Sequence, residues 1–129
     1  MTYFDDLKMK FTISKIKFST ADLKKNIILP KESSLELAEE TGWHIGDGSM
    51  NFYGNKGLFQ LRGHILDDKD HYFSRVKDIY KRLYNLEINM REMKSTGVIG
   101  FQVWSDSIVK FKNESLGLIL GKKNKYNYT

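Results

Sequence analysis

There is no cysteine in this 129-residue chain, so disulfides, thiolate zinc sites and cysteine nucleophiles are excluded. Nor is there an apolar run long enough to cross a bilayer, and the N-terminus lacks the apolar core of a signal peptide. The expectation is an intracellular, cytoplasmic protein with no membrane partner. No phosphate-binding loop is present: Gly117 to Gly121-Lys122 has the wrong spacing and lacks a following Ser or Thr. The three histidines, His44, His64 and His71, do not stand at metal-ligand spacing, and no local pattern supports a Ser-His-Asp triad.

Basic residues are missing from one stretch only. Residues 32–48 hold five acids and no Lys or Arg, whereas residues 1–31 hold seven Lys and three Asp, and residues 49–129 hold fourteen Lys/Arg and eight acids. The net charge of +5 is compatible with a polyanionic partner without requiring one. The acidic stretch reads as a helix. Ser33 and Glu36 have capping-box spacing just after Pro30-Lys31. Ala38, Gly42 and Gly46 recur every four residues and therefore share one stripe. Two glycines inside a helix cost about 2 kcal/mol together relative to alanine, which another backbone packed against the stripe would offset. Gly48 suits a left-handed C-terminal cap. Asp47 faces the negative end of the helix dipole, a penalty of about 0.3–1 kcal/mol that a nearby cation would remove.

What is there in quantity is alternation. Met50 and Phe52 alternate with Ser49, Asn51 and Tyr53; Gly54-Asn55-Lys56-Gly57 signals a turn; Phe59 and Leu61 then alternate with Gln60, Arg62 and His64. A helix opens at Asp67-Asp68-Lys69-Asp70, buries Tyr72, Val76, Ile79 and Leu83, and runs to about Tyr84. In a second hairpin, Ile88 and Met90 alternate with Asn89 and Arg91, Lys94 to Gly97 turn, and Ile99, Phe101 and Val103 return. Ser105-Asp106 caps a short helix with Ile108, Val109 and Phe111, and an apolar segment ends at Gly121. The expectation is an α+β domain of helix-hairpin-helix-hairpin-helix order, with a four-stranded antiparallel sheet covered by helices on one face. The other face would carry Ser49, Asn51, Tyr53, Gln60, Arg62, Asn89, Arg91 and Gln102, residue types that bond base edges and phosphates. Residues 1–33 read as an N-terminal extension, with Leu7, Met9, Phe11 and Ile13 alternating and Ser19 to Asp22 capping a short turn of helix; residues 34–129 form the domain.

The string Leu37-Ala38, Gly42, Gly46-Asp47-Gly48, followed by a hairpin, an acidic-start helix ending Lys81-Arg82-Leu83-Tyr84, a second hairpin, a serine-capped helix and Gly121-Lys122-Lys123, resembles the LAGLIDADG homing endonucleases over residues 34–125. The resemblance implies a saddle-shaped sheet in the major groove of double-stranded DNA and signature helices packed across a two-fold axis. It also implies an Mg2+ or Mn2+ ion held at Asp47 and the adjoining Gly48, and a basic residue near the reaction, Lys122 or Lys123. Since the chain carries one motif, a second Asp47 would come from a homodimer packed through Ala38, Gly42 and Gly46, with a near-palindromic target. Trp43 and His44 depart from the motif; Trp43 is expected in the core, and for His44 a helix-surface or packing role is expected in preference to one at the site. Phosphodiester hydrolysis suits hard oxygen ligands and a divalent ion. The alternative is a DNA- or RNA-binding protein of the same fold that does not cleave, such as a regulator, a maturase or a remnant endonuclease.

Overall fold

The structure, a computed structural model, describes residues 9–121. Leu7, part of the alternation expected near the N-terminus, lies outside the described residues. Met9, Phe11 and Ile13 are not in a strand; this segment makes a single bridge, Lys10 to Glu32. Helix α1 (Thr20–Lys24) follows, capped by Ser19 and Asp22, each side chain accepting from the other's backbone N–H. The segment is part of the core. Ile27 and Leu29 are buried in it, and Phe11, Ile13, Ile16 and Phe18 pack against it.

Helix α2 (Leu35–Asp47) is the acidic stretch. Its N-cap is Ser34, whose hydroxyl accepts from the Leu37 N–H, not Ser33. The Ser33 hydroxyl instead accepts from the Met9 N–H, so a neighbouring segment takes the group that capping-box spacing assigns to the helix. Strands β1 (Gly48–Tyr53) and β2 (Lys56–His64) form the first hairpin, turning through Gly54-Asn55. Helix α3 (Ile65–His71) runs through a π-helical turn (Tyr72–Val76) into α4 (Lys77–Tyr84). Strands β3 (Arg91–Met93) and β4 (Val98–Trp104) form the second hairpin, and α5 (Asp106–Lys110) runs into a second π-helical turn (Phe111–Ser115).

The four strands make one antiparallel sheet in the order β1-β2-β4-β3, as the two-hairpin reading expects. The first strand of the second hairpin is shorter than expected: Ile88 and Asn89 precede it, and pairing begins at Arg91 opposite Gly100. Ile88 is buried in the core as loop backbone. Period-two burial sends Met50, Phe59, Leu61, Ile99, Phe101 and Val103 to one side, where Tyr72, Val76, Ile79, Tyr80, Leu83 and Tyr84 meet them. Each fully buried side chain of this kind contributes about 1.5–3 kcal/mol.

One part of this core is charged. Glu40 from α2 and Lys112 from the last π-helical turn are both fully buried and ion-paired. The Tyr80 and Tyr84 hydroxyls, both from α4, each donate to the Glu40 carboxylate at 2.8 Å. Lys112 Nζ also lies 3.3 Å from His44 Nδ1 and 4.6 Å above the Phe59 ring centroid. Burial pushes both phenols well above their ordinary range, and the carboxylate adds to the shift, so they remain protonated donors. Burial pulls the lysine down, and Glu40 opposes that shift.

A second buried acid joins the N-terminal segment to the sheet. Asp22 accepts from the Ser105 hydroxyl and the Ser107 N–H. Burial would raise its carboxyl, but these bonds and the Ser19 N–H outweigh that and hold it below its usual range.

Breaking a buried ion pair by removing one partner leaves the other charge uncompensated, at about 3–5 kcal/mol. Lys112→Met should lower the unfolding free energy in urea by that amount. The double variant Glu40→Gln with Lys112→Met should cost less than the sum of the singles. A loss below about 1 kcal/mol for Lys112→Met would contradict the buried pair.

Candidate nucleic-acid interface

Helix α2 turns by about 100° per residue, so its two faces follow from where Glu40 points. Leu37, Glu40 and His44 are buried. Ala38, Gly42 and Gly46 fall on the opposite side and are exposed, flanked by Leu35 and Ile45, which are 63% and 48% exposed. A Cβ built at Gly42 or at Gly46 would meet nothing within 4 Å. The backbone expected against this stripe is therefore not supplied by the described residues of this chain. His44 is core, its ring stacked on Phe59 at 5.2 Å. Trp43 is partly buried, edge-on to the exposed His71 ring at 5.2 Å. Of the two roles left open for His44 the structure shows packing, and Trp43 packs at the margin of the core rather than inside it.

Asp47 is the last residue of α2 and is exposed. It lies two turns beyond Glu40 on the same side of the helix, past the end of the core. Its carboxylate acts on the Tyr72 hydroxyl: burial first, then Asp47 and Asp68, push that phenol well above its ordinary range. Asp68 has no place in the motif reading, where it is only a first-turn acid. In the structure its Oδ2 accepts from the His64 N–H at 2.7 Å, fixing it beside the end of β2. Among the described residues, no three His, Cys, Asp or Glu side chains gather in a group that could hold a metal ion.

Gly48 does not form a left-handed cap. Its backbone is extended, at φ −99° and ψ 163°, and it starts β1 while its N–H bonds the His44 carbonyl. Glycine is needed there for a different reason. A Cβ at Gly48 would sit 2.8 Å from the His44 Cα and 3.0 Å from the His44 oxygen. The helix thus passes into the strand with no intervening loop, and Asp47 is held at the junction.

The register fixes the outward face of the sheet. Gln60 pairs with Ser49 on one side and Gln102 on the other; Leu58 pairs with Asn51 and Trp104; Gly100 lies between Arg62 and Arg91. Paired residues project to the same side, so Ser49, Asn51, Tyr53, Gln60, Arg62, Arg91, Gln102 and Trp104 share one surface. Asn89 is not in a strand but lines the same groove. The Gln60 side-chain oxygen accepts from Arg62 Nη2 at 3.0 Å and from Gln102 Nε2 at 3.1 Å, which sets the three side chains in one array. An open groove of about 560 Å³ runs over Gly100, lined by Arg62, Asn89, Arg91, Gln102 and Trp104. A Cβ at Gly100 would lie 2.3 Å from the Leu61 oxygen, so the floor between the two arginines stays bare. Trp104 was not among the expected face residues; its exposed ring meets Tyr53 edge-on at 6.2 Å. Its place at the end of the alternation after Val103 was the available signal.

The chain returns to this corner at its other end. Gly121 bridges to Met50, its N–H bonding the Met50 carbonyl at 2.9 Å, three residues beyond Asp47. Lys122 and Lys123 lie outside the described residues. No helix among the described residues is long and apolar enough to cross a membrane. Comparisons with protein families and with curated proteins return no match.

Gly48→Ala should lower the unfolding free energy by about 1–3 kcal/mol, the usual cost of overpacking. Urea denaturation measures it. An unchanged midpoint would mean that the junction has room and that the position of Asp47 is not fixed in this way.

Proposed function

We propose that the protein is a metal-dependent, site-specific endonuclease of the LAGLIDADG type, acting on double-stranded DNA as a homodimer. The observation that carries this reading is one juxtaposition. An exposed carboxylate, Asp47, ends a helix with an open small-residue stripe and immediately precedes the strand whose outward face bears Ser49, Asn51 and Tyr53. In this reading α2 packs on its twin through Ala38, Gly42 and Gly46, and the approach brings two Asp47 carboxylates together.

An exposed carboxylate supplies the hard oxygen that Mg2+ or Mn2+ prefers, so Asp47, with the backbone of Gly48, would hold the ion. When bound, such an ion would supply a water of lowered pKa and stabilise the charge that develops on the scissile phosphate. The chain's own groups do the rest. Arg62, Gln60 and Gln102 present donors and acceptors that match guanine and adenine edges in the major groove. Lys122 or Lys123, following Gly121, would supply a positive charge near the reaction.

A second reading is a DNA- or RNA-binding protein that does not cleave. The exposed Tyr53–Trp104 pair favours it, because aromatic faces stack on unpaired bases.

Two substitutions separate these readings. Asp47→Asn should abolish Mg2+-dependent cleavage of a target-library DNA while leaving binding within about twofold; a variant that still cuts would refute the role given to Asp47. Gly42→Leu should convert a dimer into a monomer by analytical ultracentrifugation. Among the described residues nothing crowds the site, and leaving glycine in a helix interior gains about 0.5–1 kcal/mol, so the variant should be no less stable as a monomer. A parent chain that sediments only as a monomer at all concentrations would sink the paired active site.

A further inference from the structure

A duplex-binding surface needs cations for phosphates as well as side chains for bases, because counterion release supplies much of the affinity. The outward sheet face is poor in them. Among the described residues, Arg62 and Arg91 are the only basic ones lining the groove over Gly100, which also holds Glu92. The missing charge lies along one edge of the sheet.

Strand β3 covers β4 only from Val98 to Gly100. Beyond that point, Phe101–Trp104 pair with β2 on one side, and no strand among the described residues pairs with them on the other. A second groove of about 420 Å³ follows this edge, and Asn89 and Gln102 line both grooves, so the two adjoin. Lys25 and Lys81 stand on its walls, with the amide side chains of Asn26 and Asn85. Lys25 follows α1, in the segment outside the motif resemblance. Its Nζ donates to the Trp104 carbonyl at 2.9 Å. An ammonium has three donors, so two are left for a ligand.

Lys81 pairs with Glu87 at 2.9 Å, with the two side chains 50% and 75% exposed. An exposed pair of this kind is weak and readily exchanged. The Asn85 amide donates to the Asn26 carbonyl at 3.0 Å, tying α4 to the N-terminal segment across the groove. Asn26 and Asn85 both have a φ of 56°, a left-handed conformation that asparagine tolerates. The N-terminal segment is thereby fixed against both the sheet edge and α4.

We propose that this edge groove is a phosphate-contact site for a nucleic-acid backbone, with Lys25 and Lys81 as its two cations. It would extend the footprint of the sheet face onto the N-terminal segment. The inference rests on the reading of the outward sheet face as a DNA-binding surface. A diester oxygen takes the place of Glu87 at Lys81, while Lys25 keeps its carbonyl bond and adds one to phosphate. Neither contact reads sequence, so the groove adds affinity without specificity.

The test is a salt series of binding to a fluorescent, mixed-sequence DNA duplex, read by anisotropy. Lys25→Gln keeps a donor for the Trp104 carbonyl and removes the charge; Lys81→Gln removes the charge on the other wall. Each should lower the slope of log K against log salt by about 0.9, the value of one phosphate contact. Arg82→Gln, next to Lys81 but off the groove, should leave the slope unchanged. Glu87→Gln should tighten binding by freeing Lys81. If the parent binds and Arg62→Ala weakens it, but Lys25→Gln and Lys81→Gln keep the parent slope, the edge groove is wrong and the sheet face stands. If the parent does not bind the duplex even at low salt, the sheet reading falls and the groove with it.

Discussion

The buried pair of Glu40 and Lys112 is the constraint on which the rest of the structure depends. Two charges far from water are tolerable only with each other and with further hydrogen bonds, and this pair has them. Two tyrosines donate to the carboxylate, and an aromatic face and an imidazole nitrogen flank the ammonium. The groups come from four separate parts of the chain: α2, β2, α4 and the turn after α5. Displacing any one of them would strand a charge. The pair therefore sets how α2 is rotated about its axis. With Glu40 inward, Ala38, Gly42 and Gly46 must face outward, and the helix must end where Gly48 can meet His44 without a side chain between them. A wholly apolar face on α2 would allow sliding by a turn at smaller cost, since greasy contacts are not directional.

The same directionality fixes the outward sheet face. Antiparallel pairing sends Gln60, Ser49 and Gln102 to one side in one row, and Arg62, Gly100 and Arg91 in the next. The bare backbone of Gly100 is imposed by close approach to Leu61, and the groove between the arginines follows from it. Gln60 then collects Arg62 and Gln102 on a single oxygen, so three flexible side chains are ordered in advance. Preorganisation of this kind lowers the entropy lost when a ligand binds.

The sheet was legible in the sequence because alternation is local: Met50, Phe59, Leu61, Ile99, Phe101 and Val103 identify the buried side two residues at a time. The cap at Ser105 and the buried stripe Tyr72, Val76, Ile79 and Leu83 were legible for the same reason. The cap at Ser34 was not, since Ser33 has the textual spacing and loses it only because Met9 claims its hydroxyl. The π-helical turns leave no mark in a period read at 3.6 residues. The charged core was invisible because Glu40 lies 72 residues from Lys112, and each looks like a solvated helix residue on its own. At the candidate site, Asp47, the small-residue stripe and most of the sheet face could be read directly. Trp104 could have been read from its place in the alternation after Val103; Asp68 and Lys25 could not, because each enters through a contact with a differently assigned segment.

What the fold of a single chain leaves unexplained is Gly42 and Gly46. Alanine at each would meet no neighbour among the described residues and would favour the helix by about 1 kcal/mol. The described part of the chain thus gains nothing from these glycines. Close packing elsewhere in the same chain does require glycine, at Gly48 and Gly100, where a Cβ would strike backbone. The contrast divides the glycines into those that the chain's own contacts demand and those that they do not. A backbone that lies against the second set must come from outside the described residues. If it does, it approaches α2 beside Ile45 and Leu35, whose exposed side chains would be covered by the same contact. A twin α2 would satisfy both conditions, and it would do so one residue from the exposed Asp47.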